Sequence, residues 1–188
     1  MSLRVLIIPE DPTDNGYLLK PLVERMLAEA GKPSARVTIL TNPRLRGYAQ
    51  AVHAIRNELT VRYGHFDLWL FLPDADCAEG LPELERAMLR HGVTLLCCAA
   101  QPEVEAWLLA GHREKLALGW NEVTNHPRLK EEVFRPFLRQ FGDARSAGGG
   151  REPLMRETLA NYRGLLNLCP ELKDLEARLR SLVAITSP

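Results

Sequence analysis

Asp74 and Asp76 stand one residue apart in the stretch Phe71-Leu72-Pro73-Asp74-Ala75-Asp76-Cys77, just where an apolar run ends. Two carboxylates at that spacing can share a hard divalent cation through oxygen atoms. Three further acids fall at similar junctions: Glu10 behind the apolar run 3–8, and Glu103 and Glu105 behind the apolar run 93–99. Carboxylates crowded together repel one another and raise each other's pKa, and a divalent ion relieves that repulsion. The five histidines are dispersed, with no spacing suited to zinc, so all-oxygen ligation favours Mg²⁺ or Mn²⁺. One such ion polarises a phosphoryl oxygen; two also activate water and stabilise the leaving oxygen. Taken singly, the same residues suit structural tasks. An Asp-x-Asp often bonds backbone amides in a turn, and Glu103 and Glu105 fit the first turn of a helix. Their joint placement is what points to a metal centre drawing on Glu10, Asp74, Asp76, Glu103 and Glu105.

Five acids from separate loops converge only if those loops share one edge of a sheet. Residues 67–72, Asp-Leu-Trp-Leu-Phe-Leu, read as a strand buried on both faces, the signature of a parallel sheet. Further strands are expected at 3–8, 35–40 and 93–99. Between them, helical apolar faces recur at 17–30, around Ala51, Val52, Ile55 and Leu59, and at 81–91 with Pro82 in the first turn. This alternation predicts an α/β fold: a Rossmann-like parallel sheet of about four strands with helices on both faces. In such sheets ligands bind beyond the carboxyl ends of the strands, which is where the acids fall.

After Pro102 the strand pattern stops, and helices are expected at 103–110, 128–141, 154–166 and 170–183. The organisation expected is a core over residues 1–110 and a helical extension over 111–188, packed on the core as a cap. Lys115, Arg145, Arg151 and Arg156 on that extension are candidate phosphate contacts. The run Gly148-Gly149-Gly150 lacks the Lys-Ser/Thr ending of a P-loop and reads as a mobile loop.

Composition narrows the class further. With 188 residues, 46% hydrophobic, a globular core forms without staples, and Lys+Arg (24) equals Asp+Glu (24). That balance argues against a strongly basic nucleic-acid binder or a membrane-surface protein. The charge is locally uneven: residues 64–122 carry ten acidic and four basic side chains, residues 128–163 eight basic and five acidic. Four cysteines without CxxC spacing suggest reduced thiols, and the apolar start is too short for a signal peptide. A cytoplasmic protein with no membrane span is expected.

The motifs carry a resemblance. Glu10 closing the first strand, Thr13-Asp14 and a helix behind it, then Asp74-x-Asp76-x-x-x-Gly80 after a later strand resemble the Toprim domain. That domain is shared by type IA and type II topoisomerases, bacterial primases and OLD-family nucleases. The segment Pro102-Glu103-Val104-Glu105-Ala106-Trp107-Leu108-Leu109-Ala110 is similar to the Glu-Ala-Trp-Leu-Leu segment of a group of uncharacterised bacterial Toprim-like proteins, some linked to phage defence. Their C-terminal part also carries a region like Leu154 to Cys169-Pro170 and the helix after it. The resemblance implies catalytic roles for Glu10, Asp74 and Asp76 around Mg²⁺, with Glu103 and Glu105 as ligands of a second ion. It implies a nuclease or phosphodiesterase acting on nucleic acid, in phage defence or DNA repair, with a protein partner in trans. Where that family usually has Gly after the first Glu, this chain has Asp11, which supports a second expectation: a non-catalytic module acting through a partner. A third comes from Leu70-Phe71-Leu72-Pro73-Asp74-Ala75-Asp76-Cys77, which also looks like the metal-binding strand end of GT-A nucleotide-sugar transferases. The oligomeric state is left open.

Overall fold

The computed structural model describes residues 2–10, 14–75 and 79–186. Four strands, β1 (Arg4–Pro9), β2 (Arg36–Ile39), β3 (Leu68–Leu72) and β4 (Leu95–Cys97), form one sheet in the order β2-β1-β3-β4. Every pairing is parallel, so the carboxyl ends of all four strands meet at one edge. β1 and β3 lie in the middle and are buried almost throughout, as continuous runs such as Val-Leu-Ile-Ile and Leu-Trp-Leu-Phe-Leu require.

Alternate residues of each strand feed two cores. Val5, Ile7, Leu70, Leu72 and Leu96 face helix α1 (Gly16–Glu29) and the C-terminal helices. Leu6, Ile8, Trp69, Phe71 and Leu95 face α2 (Tyr48–Asn57), α3 (Leu59–Tyr63) and α4 (Leu81–Arg90). Both faces are therefore covered, as the strand–helix alternation implies. The C-terminal helices extend the α1 side of the molecule as one continuous core, in which Leu154, Met155, Leu165, Leu172, Leu175 and Leu179 pack with β1 and α1 residues. Trp69 and Trp107 are fully buried. Cys97, Cys98 and Cys169 are free thiols, also buried, and burial pushes Cys98 up to about 12, so these sulfurs stay protonated. Among the described residues no helix is long and apolar enough to cross a membrane.

Several boundaries differ from the sequence reading. The expected second helix divides at Glu58 into α2 and α3. α5 (Glu105–Leu109) runs directly into a 3₁₀ segment, Ala110–Lys115, and α6 (Trp120–Thr124) has no counterpart in the apolar pattern. The helix expected over 128–141 begins as a π-helical turn, Lys130–Phe134, before continuing as α7 (Arg135–Phe141). That over 154–166 becomes α8 (Arg151–Ala160) and α9 (Tyr162–Leu168), divided at Asn161, whose side chain accepts the Gly164 N–H. The last helix, α10, is Pro170–Thr186. The expected mobile loop is instead a packed turn. Gly148, Gly149 and Gly150 all adopt positive φ, and a Cβ on Gly148 would fall 2.6 Å from Tyr17. Three glycines are needed there because the chain reverses tightly against α1.

The exposed edge of the sheet is closed by side chains. Cys97, on edge strand β4, donates its N–H to Glu85 Oε1 (2.6 Å) and accepts at its carbonyl from Arg178 Nη1 (3.1 Å). Arg178 Nη2 in turn reaches Glu85 Oε2 at 2.7 Å, so one ion pair from α4 and α10 caps both backbone groups. Unpaired edge groups invite another strand, and a charged cover prevents it. Arg178→Ala leaves the carbonyl and Glu85 without this partner and is expected to cost about 1–2 kcal/mol. Urea denaturation of the two proteins measures this; an unchanged midpoint would mean that the cap contributes nothing.

Candidate functional site

The acids gather at the carboxyl edge because pairing between β3 and the β4 side continues beyond the regular strands. Asp74 forms an isolated parallel bridge with Ala100, the Ala100 N–H donates to Pro73 O (2.8 Å), and the Ala75 N–H donates to Pro102 O (2.9 Å). The loop after β3 thus runs alongside the loop that leads into Glu103 and α5. Asp74 sits between its neighbours: its N–H donates to Glu10 Oε2 (3.3 Å), and its Oδ1 accepts from the Val104 N–H (3.0 Å). Glu10 lies just past β1, whose register with β3 pairs Pro9 with Leu72, so the two acids emerge side by side.

This proximity has an electrostatic consequence. The Asp74 carboxyl is pushed up to about 7, first by burial, then by Glu105, with Glu10 and Glu103 adding to it; the Val104 N–H opposes the rise. Glu103 is raised as well, by burial and then by Glu105, against the N–H of Lys130. Four carboxylates from three loops therefore share one electrostatic neighbourhood, although Glu105 also serves the opening turn of α5. Glu105 is 1% exposed, and its Oε1 makes no hydrogen bond; the Lys130 ammonium stands 3.4 Å from it.

Asp76, the second acid of the Asp-x-Asp, lies outside the described residues, as does Asp11. Among the described residues, no three His, Cys, Asp or Glu side chains stand close enough together to hold an ion as they lie. The donor chemistry nevertheless suits a hard cation: every candidate atom is a carboxylate oxygen, and one of them is buried without a hydrogen-bond donor.

The four basic candidates do not join this cluster; among the described residues none has a hydrogen bond or ion pair with Glu10, Asp74, Glu103 or Glu105. Lys115 lies between His112 Nδ1 (3.3 Å) and Glu157 (3.8 Å) and covers the Phe141 ring. Arg145, 95% exposed, pairs with Asp143. Arg151 is largely buried over Phe134 and clamps the glycine turn to the loop after β1, through Gly148 O (2.8 Å) and Asp14 Oδ2 (3.3 Å). Arg156 pairs with Glu152 and lines a groove of about 500 Å³ with Tyr17, Lys20 and Thr41. None of the candidate acids lines that groove.

Lys130 is the cation that sequence reasoning missed. Its backbone N–H donates to Glu103 Oε2 at 2.8 Å while its side chain approaches Glu105. Placed beside Glu131 and Glu132, it carries no motif, and only folding brings it to acids more than 20 residues away. The segment before α2 is a second neighbour: the Gly47 N–H donates to Glu10 O at 3.3 Å, and Arg44 and Arg46 in that segment are exposed.

Fold and site together define a parallel α/β protein with an acidic cluster at the carboxyl edge of its sheet and helices packed beside it. Compared with protein-family models, with curated proteins and with solved structures, the chain matches none.

Proposed function

We propose that the chain is a Toprim-like phosphodiesterase that hydrolyses nucleic acid with Mg²⁺ or Mn²⁺. The observation that carries this reading is Asp74, which stands among acids from the two neighbouring strand-end loops and is raised to about 7 by burial and by those acids. An aspartate so crowded ionises cheaply only when a cation arrives.

Asp74, Asp76 and Glu10 would hold the ion, with Glu103 and Glu105 as further carboxylates beside it. When bound, the ion would supply Lewis-acid polarisation of a phosphoryl oxygen. The chain's own residues then have definite tasks. The Asp74 N–H orients Glu10 through Oε2, and the Val104 N–H orients Asp74 through Oδ1, so each carboxylate keeps one oxygen outside those bonds. Arg44 and Arg46, exposed in the segment just before α2, would supply positive charge for phosphate oxygens along a strand. Arg151 and Lys115, held by internal contacts, position the cap instead.

Hydrolysis of single- and double-stranded oligonucleotides with Mg²⁺ or Mn²⁺ is expected for the wild type and is expected to fall at least about a hundredfold in Asp74→Asn/Asp76→Asn. Unchanged hydrolysis in that double variant would overturn the assignment. The non-catalytic reading draws on one observation, that the described acids do not close around an ion as they lie. It predicts no divalent-metal effect on melting and a stable complex with a protein partner. Mn²⁺-dependent binding of a nucleoside diphosphate, tighter than that of any oligonucleotide, would favour a nucleotide-sugar transferase instead.

A further inference from the structure

Lys130 grips two different glutamates with two different groups. Its backbone N–H holds Glu103 Oε2 at 2.8 Å, and its ammonium stands 3.4 Å from Glu105 Oε1. The two grips differ in permanence. The backbone of this segment is anchored on both sides, by Leu129 and Phe134, each fully buried. The side chain is 25% exposed and ends in a single-point charge on a flexible stem, so it can withdraw toward solvent without moving the turn that carries it. Glu105 has no such latitude. It is 1% exposed, its Oε1 has no hydrogen-bond donor, and a carboxylate in that position needs a compensating positive charge.

We propose that Lys130 is the resident counter-cation of the acidic cluster, and that a divalent ion entering the cluster displaces its ammonium from Glu105 while the backbone grip on Glu103 stays in place. This rests on the metal reading above. A divalent ion brings twice the charge and bonds the carboxylate directly, whereas the ammonium at 3.4 Å makes an ion pair without a hydrogen bond. The π-helical turn that begins at Lys130 fits this arrangement, because π-turns recur where a helix is distorted for function. Lys130 thereby sets the affinity of the site: the metal has to outcompete a tethered cation, and weak binding is the consequence.

Two measurements test this on the chelator-stripped protein. In the first, Mn²⁺ is titrated calorimetrically into wild type, Lys130→Met and Lys130→Arg. Met keeps the length of the stem and removes the charge, so Lys130→Met is expected to bind Mn²⁺ about tenfold more tightly, with Lys130→Arg close to wild type. Equal or weaker binding by Lys130→Met would overturn the proposal and leave the metal site standing. Absence of Mn²⁺ binding in all three would overturn the metal reading and this inference with it. The second measurement needs no variant. Amine acylation of the wild type, read by mass spectrometry, is expected to label Lys130 about threefold or more faster with saturating Mn²⁺, because the released ammonium becomes accessible. Labelling unaffected by Mn²⁺ would equally reject displacement, even if Lys130→Met fails to fold.

Discussion

Asp74→Asn is expected to make the metal-stripped protein more stable near pH 8, by about 1–2 kcal/mol, while removing its stabilisation by Mg²⁺ or Mn²⁺. The cause is the raised carboxyl of Asp74, about 7 in the folded protein against an ordinary value near 3.8. For an acid shifted upward, the folded state holds the proton more tightly than the unfolded chain. Stability is therefore greatest below the unfolded value and is lost as pH climbs from about 4 through about 7. The whole shift would correspond to about 4 kcal/mol, and partial solvent access to the side chain lowers the figure expected in practice. Asparagine keeps an oxygen to accept the Val104 N–H and carries no charge toward Glu105, Glu10 or Glu103. Chemical denaturation with chelator at several pH values checks the sign: the advantage of Asp74→Asn should grow between about pH 4 and 7 and level off above. A constant difference across that range would mean that the neighbouring acids do not press on Asp74. Adding millimolar Mn²⁺ near pH 8 should then reverse the order, raising the wild-type melting midpoint and leaving the variant where it was.

Gly111→Ala is expected to destabilise the protein by about 3 kcal/mol or more. Gly111 lies in the 3₁₀ segment after α5, where α8 passes directly over it. A Cβ there would fall 2.5 Å from Thr158 Cα and 2.6 Å from Thr158 Cβ. Backbone of a packed helix cannot rotate away as a side-chain tip can. Thr158 is 1% exposed and donates from Oγ1 to Leu108 O at 2.7 Å, so pushing α8 outward also breaks a buried hydrogen bond. Gly119→Ala is the natural control, because its Cβ would meet only the end of the flexible Glu122 side chain at 3.3 Å; a change of under about 0.5 kcal/mol is expected there. Urea midpoints of the two variants should differ widely, and similar midpoints would show that α8 yields easily to the added methyl. Since α5 carries Glu105 at its start, loosening the α5–α8 contact should also weaken Mn²⁺ binding in Gly111→Ala.

Much of the architecture was legible in the sequence because it depends on short-range patterns. Runs such as Val5 to Ile8 and Leu68 to Leu72 are too short and too apolar for amphipathic helices, and the helical faces between them leave parallel pairing as the way to cover both sides. The parallel arrangement also puts Glu10, Asp74, Glu103 and Glu105 toward one edge, since each follows a strand end. Helix boundaries beyond Pro102 were less legible. Splitting at Asn161, the π-turn at Lys130 and the packed glycine turn each answer to contacts with distant segments, such as Tyr17 beneath Gly148.

What only the tertiary structure decided is which charges meet. From sequence, Arg151 and Lys130 are two cations among eight in the basic stretch 128–163, and Arg151 is a candidate phosphate contact while nothing singles out Lys130. Folded, Arg151 is spent on Asp14 and Gly148, while Lys130 holds Glu103 and Glu105. Periodicity reports which face of an element is buried because a helix or strand repeats every few residues; it does not report which residue on another element lies opposite. That is set by how the whole chain packs, and it is why the acids were readable one by one while their counter-cation was not.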